Sequence, residues 1–209
     1  MKKKYWAFLI GSWCLSVGMQ AAKVDTLSVH SDAMNKEVQV ITICPDKAMA
    51  GEKCPVLYLL HGYGGNAGTW LGIKPELPQI ADKEGIIFVC PDGKNSWYWD
   101  SPLNKEYRYE TFVSKELVNY IDKNFTTKVE RGGRAITGLS MGGHGSLWLS
   151  IRHKDVFGGG GSMSGGLDIR PFPNNWEMKK QLGEEASNKQ RWDEHTVINQ
   201  LDKIKNGDL

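Results

Sequence analysis

One serine, set among glycines, has the clearest chemical potential in this sequence. Ser140 lies in Gly138-Leu139-Ser140-Met141-Gly142-Gly143, between an apolar run and a helical run from His144 to Arg152. In a G-x-S-x-G turn, small flanking residues let strand and helix pass closely, and the strained turn exposes the serine hydroxyl. The first helical amide, the N–H of Met141, then points at a bound oxyanion. The pattern predicts an acyl-transfer nucleophile; the simpler alternative is a glycine-rich loop without chemistry.

A second oxyanion donor is expected in the loop after the apolar run Val56 to Leu60. A backbone N–H from that position commonly completes the hole, and Tyr63 is the best candidate. The same loop also fits a dinucleotide fingerprint, G-x-G-x-x-A, from Gly62 to Ala67. Asp92 lies 30 residues beyond Gly62 instead of the usual distance of about 20, which argues against a nicotinamide cofactor. We therefore expect no cofactor.

The general base is harder to place. Three histidines are too close in sequence to act as the base of Ser140. His61 directly precedes the loop expected to supply the second oxyanion donor, His144 lies in the helical run after Ser140, and His153 ends that run. His30 belongs to the N-terminal strand region. Asp168 and His195 would give the chain order Ser, Asp, His that a catalytic triad of this kind requires. However, His195 lies in a helical stretch, where a surface or helix-capping role is the simpler interpretation.

The elements that position these residues alternate between strands and helices. Val24 to Val29 and Val38 to Ile43 alternate apolar and polar residues, as paired antiparallel strands do. Buried parallel strands are expected at Val56 to Leu60, Ile86 to Cys90, Arg134 to Thr137 and Gly158 to Gly166. Helical spacing is found from Tyr109 to Phe125, whereas residues 171–209 are polar and helical without a convincing strand. The pattern predicts an α/β fold with a mostly parallel sheet flanked by helices.

The chain of 209 residues suits one globular domain preceded by a targeting segment. Lys2, Lys3 and Lys4 precede an apolar run and small residues ending at Ala22, the layout of a secretory signal peptide. The apolar run is shorter than the ~20 residues of a membrane span. We therefore expect a signal peptide at 1–22, a mature domain at 23–209 and a secreted or periplasmic protein with no membrane span. Without the three lysines the formal charge changes from +2 to −1, which gives no support for a nucleic-acid partner.

The mature part has three cysteines, Cys44, Cys54 and Cys90. Cys44 and Cys54 could pair across a hairpin-like connection in an exported protein, and Cys90 would then be a small buried hydrophobe. Whether they pair stays open at this point. No spacing of histidines and cysteines is typical of a zinc site, so we expect no metal.

Five motifs together resemble the esterase D-like branch of the α/β-hydrolases, which includes feruloyl and tributyrin esterases, S-formylglutathione hydrolases and mycolyl transferases. They are 55–65 (PVLYLLHGYGG), Pro91-Asp92-Gly93, 97–102 (WYWDSP), 138–143 (GLSMGG) and Phe157-Gly158-Gly159. The resemblance implies that Ser140 is the nucleophile and that the amides of Tyr63 and Met141 form the oxyanion hole. Trp97, Tyr98 and Trp99 would bind substrate, although aromatic packing under a loop explains them equally well.

The resemblance also implies an acid after a further strand and a histidine in a later Gly-Gly-His loop, and neither is present. We therefore expect an α/β-hydrolase domain that is C-terminally incomplete and missing its last strands. The expected function is an exported serine carboxylesterase acting on small-molecule or polysaccharide-linked acyl esters, with feruloyl or acetyl groups as leading candidates. A non-catalytic relative, an inactive fragment and an acyltransferase are the alternatives.

Overall fold

Six strands form the sheet of the computed structural model, which describes residues 22–208. The strands are β1 (Lys23–Ser31), β2 (Lys36–Cys44), β3 (Val56–Leu60), β4 (Ile87–Pro91), β5 (Arg134–Leu139) and β6 (Gly159–Met163). The expected signal peptide at 1–22 lies outside the described residues, apart from Ala22. The predicted strands are all found, with boundaries that shift by a few residues.

The sheet order is β1-β2-β4-β3-β5-β6. β1 and β2 form an antiparallel pair in which Val24 lies opposite Ile43, and β2 pairs antiparallel with β4. β4, β3, β5 and β6 are parallel. The mostly parallel sheet with an antiparallel start, as predicted, is therefore confirmed.

Short helices connect the strands. They are α1 (Asp46–Met49), α2 (Thr69–Ile73), α3 (Leu77–Glu84), α4 (Tyr109–Thr111), α5 (Val118–Asn124), α6 (Met141–Arg152), α7 (Met178–Leu182) and α8 (Lys189–Glu194). A π-helical turn, Phe112–Leu117, joins α4 to α5, so the predicted helix at 109–125 is one continuous segment with a wider middle turn. Three 3-10 turns complete the set: Arg131–Gly133, Glu185–Ser187 and Val197–Lys203. Among the described residues no strand follows β6, as the sequence predicted.

Apolar side chains cover both faces of the sheet. Along β3, Val56, Tyr58 and Leu60 belong to one apolar cluster, whereas Leu57 and Leu59 contact the other. Because successive strand residues point to opposite faces, the two clusters lie on opposite sides of the sheet. This burial explains why β3 is a continuous apolar run.

The register of β3 and β5 determines where the chemistry can occur. Leu60 lies opposite Gly138, so the carboxyl ends of the two strands are level. The loop after β3 and the turn after β5 therefore leave the same edge of the sheet side by side.

Cys44, Cys54 and Cys90 are free, buried thiols in this structure. The pairing of Cys44 with Cys54, which the sequence left open, is not formed here. Burial raises the pKa of the Cys90 thiol to about 12, as expected for a cysteine that acts as a small core hydrophobe. Within residues 22–208, no helix has the length and apolar character needed to cross a membrane.

Candidate active site

Ser140 occupies the turn between β5 and α6 in a strained backbone conformation. Its φ of 53° and ψ of −115° lie in a region that non-glycine residues rarely adopt, and its side chain is exposed. A Cβ on Gly138 would lie 2.2 Å from the Gly142 oxygen, and a Cβ on Gly142 would lie 2.2 Å from the Leu60 oxygen. The flanking glycines are therefore required by close backbone contact, as the sequence pattern implied.

Residues 61–65, called the oxyanion loop after their predicted role, pass directly beside this turn. A Cβ built on Gly62 would be 3.5 Å from the Ser140 Cβ. Met141 is the first residue of α6, so its N–H has no partner within the helix. Tyr63, the residue after Gly62, lines the same cavity as Ser140, and Met141 directly follows the serine. The N–H groups of these two residues are the donors expected to stabilise negative charge that develops on a carbonyl oxygen.

Ser140 opens into a cavity of about 210 Å³ with mostly apolar walls. Its lining residues are Tyr63, Trp97, Ser140, Ser164, Gly165, Gly166, Asp168, Ile169, Phe172, Trp176 and Met178. Trp176 lies 6.2 Å from Trp97 and 5.4 Å from Phe172 between ring centroids. Sequence reasoning did not identify Phe172 and Trp176 as part of the site; two large apolar residues in a polar segment were the available signal.

The three aromatic residues expected at the site occupy different positions. Trp97 lines the cavity, whereas Tyr98 and Trp99 are fully buried beneath it. The Tyr98 hydroxyl donates to the His61 carbonyl at 3.1 Å. A Cβ on Gly145 would lie 2.4 Å from the Tyr98 ring, so the ring fits tightly between the oxyanion loop and α6. Tyr98 and Trp99 thus support the wall from behind, the packing alternative of the sequence analysis.

His61 and His144 lie near Ser140, but both have their ring nitrogens occupied. The hydrogen-bond partners indicate that His61 Nδ1 donates to the Gly62 oxygen at 2.7 Å and that Nε2 accepts from the Gly93 N–H at 2.9 Å. His144 Nδ1 donates to the Gly166 oxygen at 2.7 Å, and Nε2 accepts from Trp99 Nε1 at 2.9 Å. Burial lowers the pKa of His144 to about 4, so this ring is neutral at pH 7. Both histidines support the site structurally.

His195 and Asp168, the triad alternative, line different cavities. His195 lines a polar cavity of about 340 Å³ with Glu110 and Trp148, and its ring stacks on Trp148 at 5.3 Å. Asp168 lines the Ser140 cavity, where Arg170 donates to both of its oxygens, at 2.8 and 2.7 Å. The structure does not bring this acid and this base together.

The remaining histidines bind carboxylates away from the cavity. His30 contacts Glu37 at 2.9 Å on the exposed β1–β2 surface, and His153 Nε2 contacts Glu110 at 2.9 Å. Burial opposes ionisation of Glu110, but hydrogen bonds from His153, Arg152 and Trp148 outweigh it and lower the pKa to about 2. Within residues 22–208, no histidine lines the Ser140 cavity, and no cluster of His, Cys, Asp or Glu could hold a metal ion.

Comparison with protein families gives a match of residues 31–208 to the family described as "Putative esterase". The chain is 29% identical over 151 residues to an acetyl esterase of Caldicellulosiruptor saccharolyticus, an alignment covering 68% of this chain and 56% of that protein. It is 34% identical over 124 residues to an endo-1,4-beta-xylanase/feruloyl esterase of Xylanibacter ruminicola, covering 55% and 17% respectively. The chain thus spans about half, or less, of the length of these curated relatives.

Among solved structures, the fold is similar to that of FphF, a fluorophosphonate-binding serine hydrolase of Staphylococcus aureus. The TM-score is 0.76 at 21% identity, covering 88% of this chain and 74% of that one. This likeness confirms the expected α/β-hydrolase fold.

Proposed function

The chain belongs to this esterase family, and we propose that it is a serine carboxylesterase in which Ser140 is the nucleophile. One observation carries the proposal: Ser140 is exposed at a strained strand-to-helix turn and opens into a cavity that Tyr63, of the loop beside this turn, also lines. Strained backbone of this kind persists where the surrounding contacts impose it, and it is concentrated at active sites. In a G-x-S-x-G turn the strain exposes the serine hydroxyl for nucleophilic attack.

In the proposed reaction, Ser140 Oγ attacks the ester carbonyl carbon while its proton passes to a base. The carbonyl oxygen becomes an oxyanion that accepts hydrogen bonds from the Met141 and Tyr63 N–H groups. The bond to the leaving alcohol then breaks, the alcohol takes a proton, and the acyl group remains on Ser140. Water hydrolyses this acyl-enzyme by the same steps, releasing the acid and restoring the serine.

No histidine of residues 22–208 lines the Ser140 cavity, and we propose that none of them is the base of this reaction. His61 and His144 have both nitrogens engaged, and His195 lies in the other cavity. A serine esterase that keeps its oxyanion hole but lacks its base retains roughly 10³–10⁴-fold catalysis over water. We therefore expect these 209 residues alone to hydrolyse esters slowly.

The cavity supports a small or planar acyl group as substrate. Its volume of about 210 Å³ lies below the ~300 Å³ at the lower end for drug-sized ligands. Trp97, Phe172 and Trp176 offer aromatic walls, which suit a flat acyl chain. Together with the names of the acetyl esterase and feruloyl esterase relatives, this favours acetyl or feruloyl esters. Export, proposed from the pattern of residues 1–22, would suit polysaccharide-linked esters outside the cell.

Two p-nitrophenyl esters that share a leaving group, the acetate and the ferulate, test the proposal. We expect slow release of p-nitrophenol that imidazole accelerates, because imidazole can take the Ser140 proton in a cavity that no histidine of residues 22–208 lines. Ser140→Ala should lose the protein-dependent part of this response, whereas Ser164→Ala, which alters another serine of the same cavity, should keep it. Equal rates for wild type and Ser140→Ala would favour a non-catalytic relative. A new ester formed with added glycerol or glucose would instead identify an acyltransferase.

A further inference from the structure

Three segments meet at Asn95, outside the cavity wall. They are the oxyanion loop (residues 61–65), the aromatic loop (residues 93–99) that carries Asn95, and the cap segment (residues 171–177) that contributes Phe172 and Trp176 to the cavity. Asn95 itself is half-buried and does not line the cavity. Any effect it has on Ser140 must therefore act through these segments.

The Asn95 side chain uses both ends of its amide to bridge two of these segments. Its Oδ1 accepts the Gly64 N–H at 2.9 Å, and its Nδ2 donates to Glu177 Oε2 at 3.3 Å. The partners determine the orientation of the amide, because a backbone N–H needs an acceptor and a carboxylate needs a donor. Gly64 directly follows Tyr63 and has a φ of 75°. Asn95 thus restrains the residue next to the proposed oxyanion donor.

The other end of the bridge is a strained part of the cap segment. Trp176 and Glu177 have φ values of 48° and 56°, which non-glycine residues adopt only when contacts impose them. One such contact is the hydrogen bond from Trp97 Nε1 to the Trp176 oxygen at 3.2 Å. The Glu177 carboxylate also pairs with Lys180.

We propose that Asn95 is a positioning residue that locks the oxyanion loop to the cap segment, so that the Tyr63 N–H is held ready for the oxyanion. This inference rests on the proposed function of Ser140 and Tyr63. It assigns to the Asn95 amide a role in acylation that requires no contact with substrate. Because preorganised donors stabilise the transition state more than the ground state, loosening them should lower the acylation rate constant and leave substrate binding largely unchanged.

The kinetic test is acylation of Ser140 by p-nitrophenyl acetate in the presence of imidazole. Loss of a whole oxyanion donor costs roughly 10²–10³-fold, so we expect a smaller fall of about 10-fold in the acylation rate constant of Asn95→Ala. The concentration of p-nitrophenyl acetate that half-saturates Asn95→Ala should stay within about 2-fold of the wild-type value. The double variant Asn95→Asp/Glu177→Gln reverses the donor and acceptor of the bridge at constant net charge and keeps an acceptor for the Gly64 N–H. It should recover most of the rate, and Asn124→Ala, an exposed control, should match wild type.

Amide hydrogen exchange tests the bridge without any reaction. Asn95→Ala should accelerate exchange in both the oxyanion loop and the cap segment, and the double variant should restore protection. Failure of wild type to acylate Ser140 would contradict the proposed function alone, since the exchange result would still test the bridge. An Asn95→Ala variant with wild-type acylation, or with faster exchange in neither or only one segment, would overturn the inference.

Discussion

Mild acid should destabilise the folded protein through His144, the buried histidine that links Trp99 to Gly166. Burial lowers its pKa to about 4 from the ordinary value of 6.5. Between these values the unfolded chain binds more protons than the folded chain, so stability falls as the pH decreases. For a single group with these two pKa values, the loss from pH 7 to pH 5 is roughly 2 kcal/mol. A protonated Nε2 could no longer accept the Trp99 N–H, which is the physical cause of the penalty.

Urea denaturation at pH 7, 6 and 5 measures this loss when wild type is compared with His144→Gln. A glutamine side chain keeps one donor and one acceptor but cannot be protonated. From pH 7 to pH 5, the free energy of unfolding of His144→Gln should therefore fall by roughly 2 kcal/mol less than that of wild type. The comparison also removes the contribution of other acid-sensitive groups, including His195, whose pKa burial lowers too. Equal pH dependence of wild type and His144→Gln would refute the role given to His144.

Three further predictions concern the turn at Ser140, the contacts of Glu110 and the wall of the Ser140 cavity. Gly142→Ala should lower the free energy of unfolding by more than about 3 kcal/mol, because its Cβ would lie 2.2 Å from the Leu60 oxygen. Gly72→Ala in α2, where no atom lies within 4 Å of an added Cβ, should leave thermal stability equal or raise it by up to about 1 kcal/mol; similar losses in both variants would contradict this. Glu110→Gln should cost about 2 kcal/mol at pH 7 in urea denaturation, because Arg152 and His153 lose their carboxylate, and an unchanged midpoint would exclude that ion pair as a stabilising contact. Trp97→Ala should raise the half-saturating concentration of p-nitrophenyl ferulate more than that of p-nitrophenyl acetate. An equal increase for the two esters would show that Trp97 does not contact the acyl chain.

The sequence predicted those parts of the fold that depend on local patterns. The apolar run at β3 indicated a strand buried on both faces, and the glycines at 138 and 142 indicated a turn that only small residues can form. Both predictions could be made because the residues that determine the strand and the turn lie within a few positions of one another in the sequence. The shift of β4 by one residue, to Ile87–Pro91, reflects pairing with β2 and β3, which the local pattern does not contain.

The wall of the cavity depends on contacts between distant segments and was only partly predictable. Trp97, Tyr98 and Trp99 are adjacent in sequence, yet Trp97 faces the cavity and Trp99 packs on His144. The left-handed φ values of Trp97 and Tyr98 produce this divergence, and side-chain type alone does not indicate them. Trp176 joins the wall through its contact with Trp97, across 79 residues of chain. Such a contact follows from the complete packing of the domain and from no local motif.

The assignment of Ser140 as the acyl carrier is tested most directly by locating the acyl group after incubation with p-nitrophenyl acetate and imidazole. Mass spectrometry of the quenched protein and of its peptides should show one added acetyl group, on the peptide containing Ser140. The group should be absent from Ser140→Ala and retained in Ser164→Ala. An acetyl group on Ser164, or equal acetylation of wild type and Ser140→Ala, would contradict the assignment of Ser140 as the nucleophile.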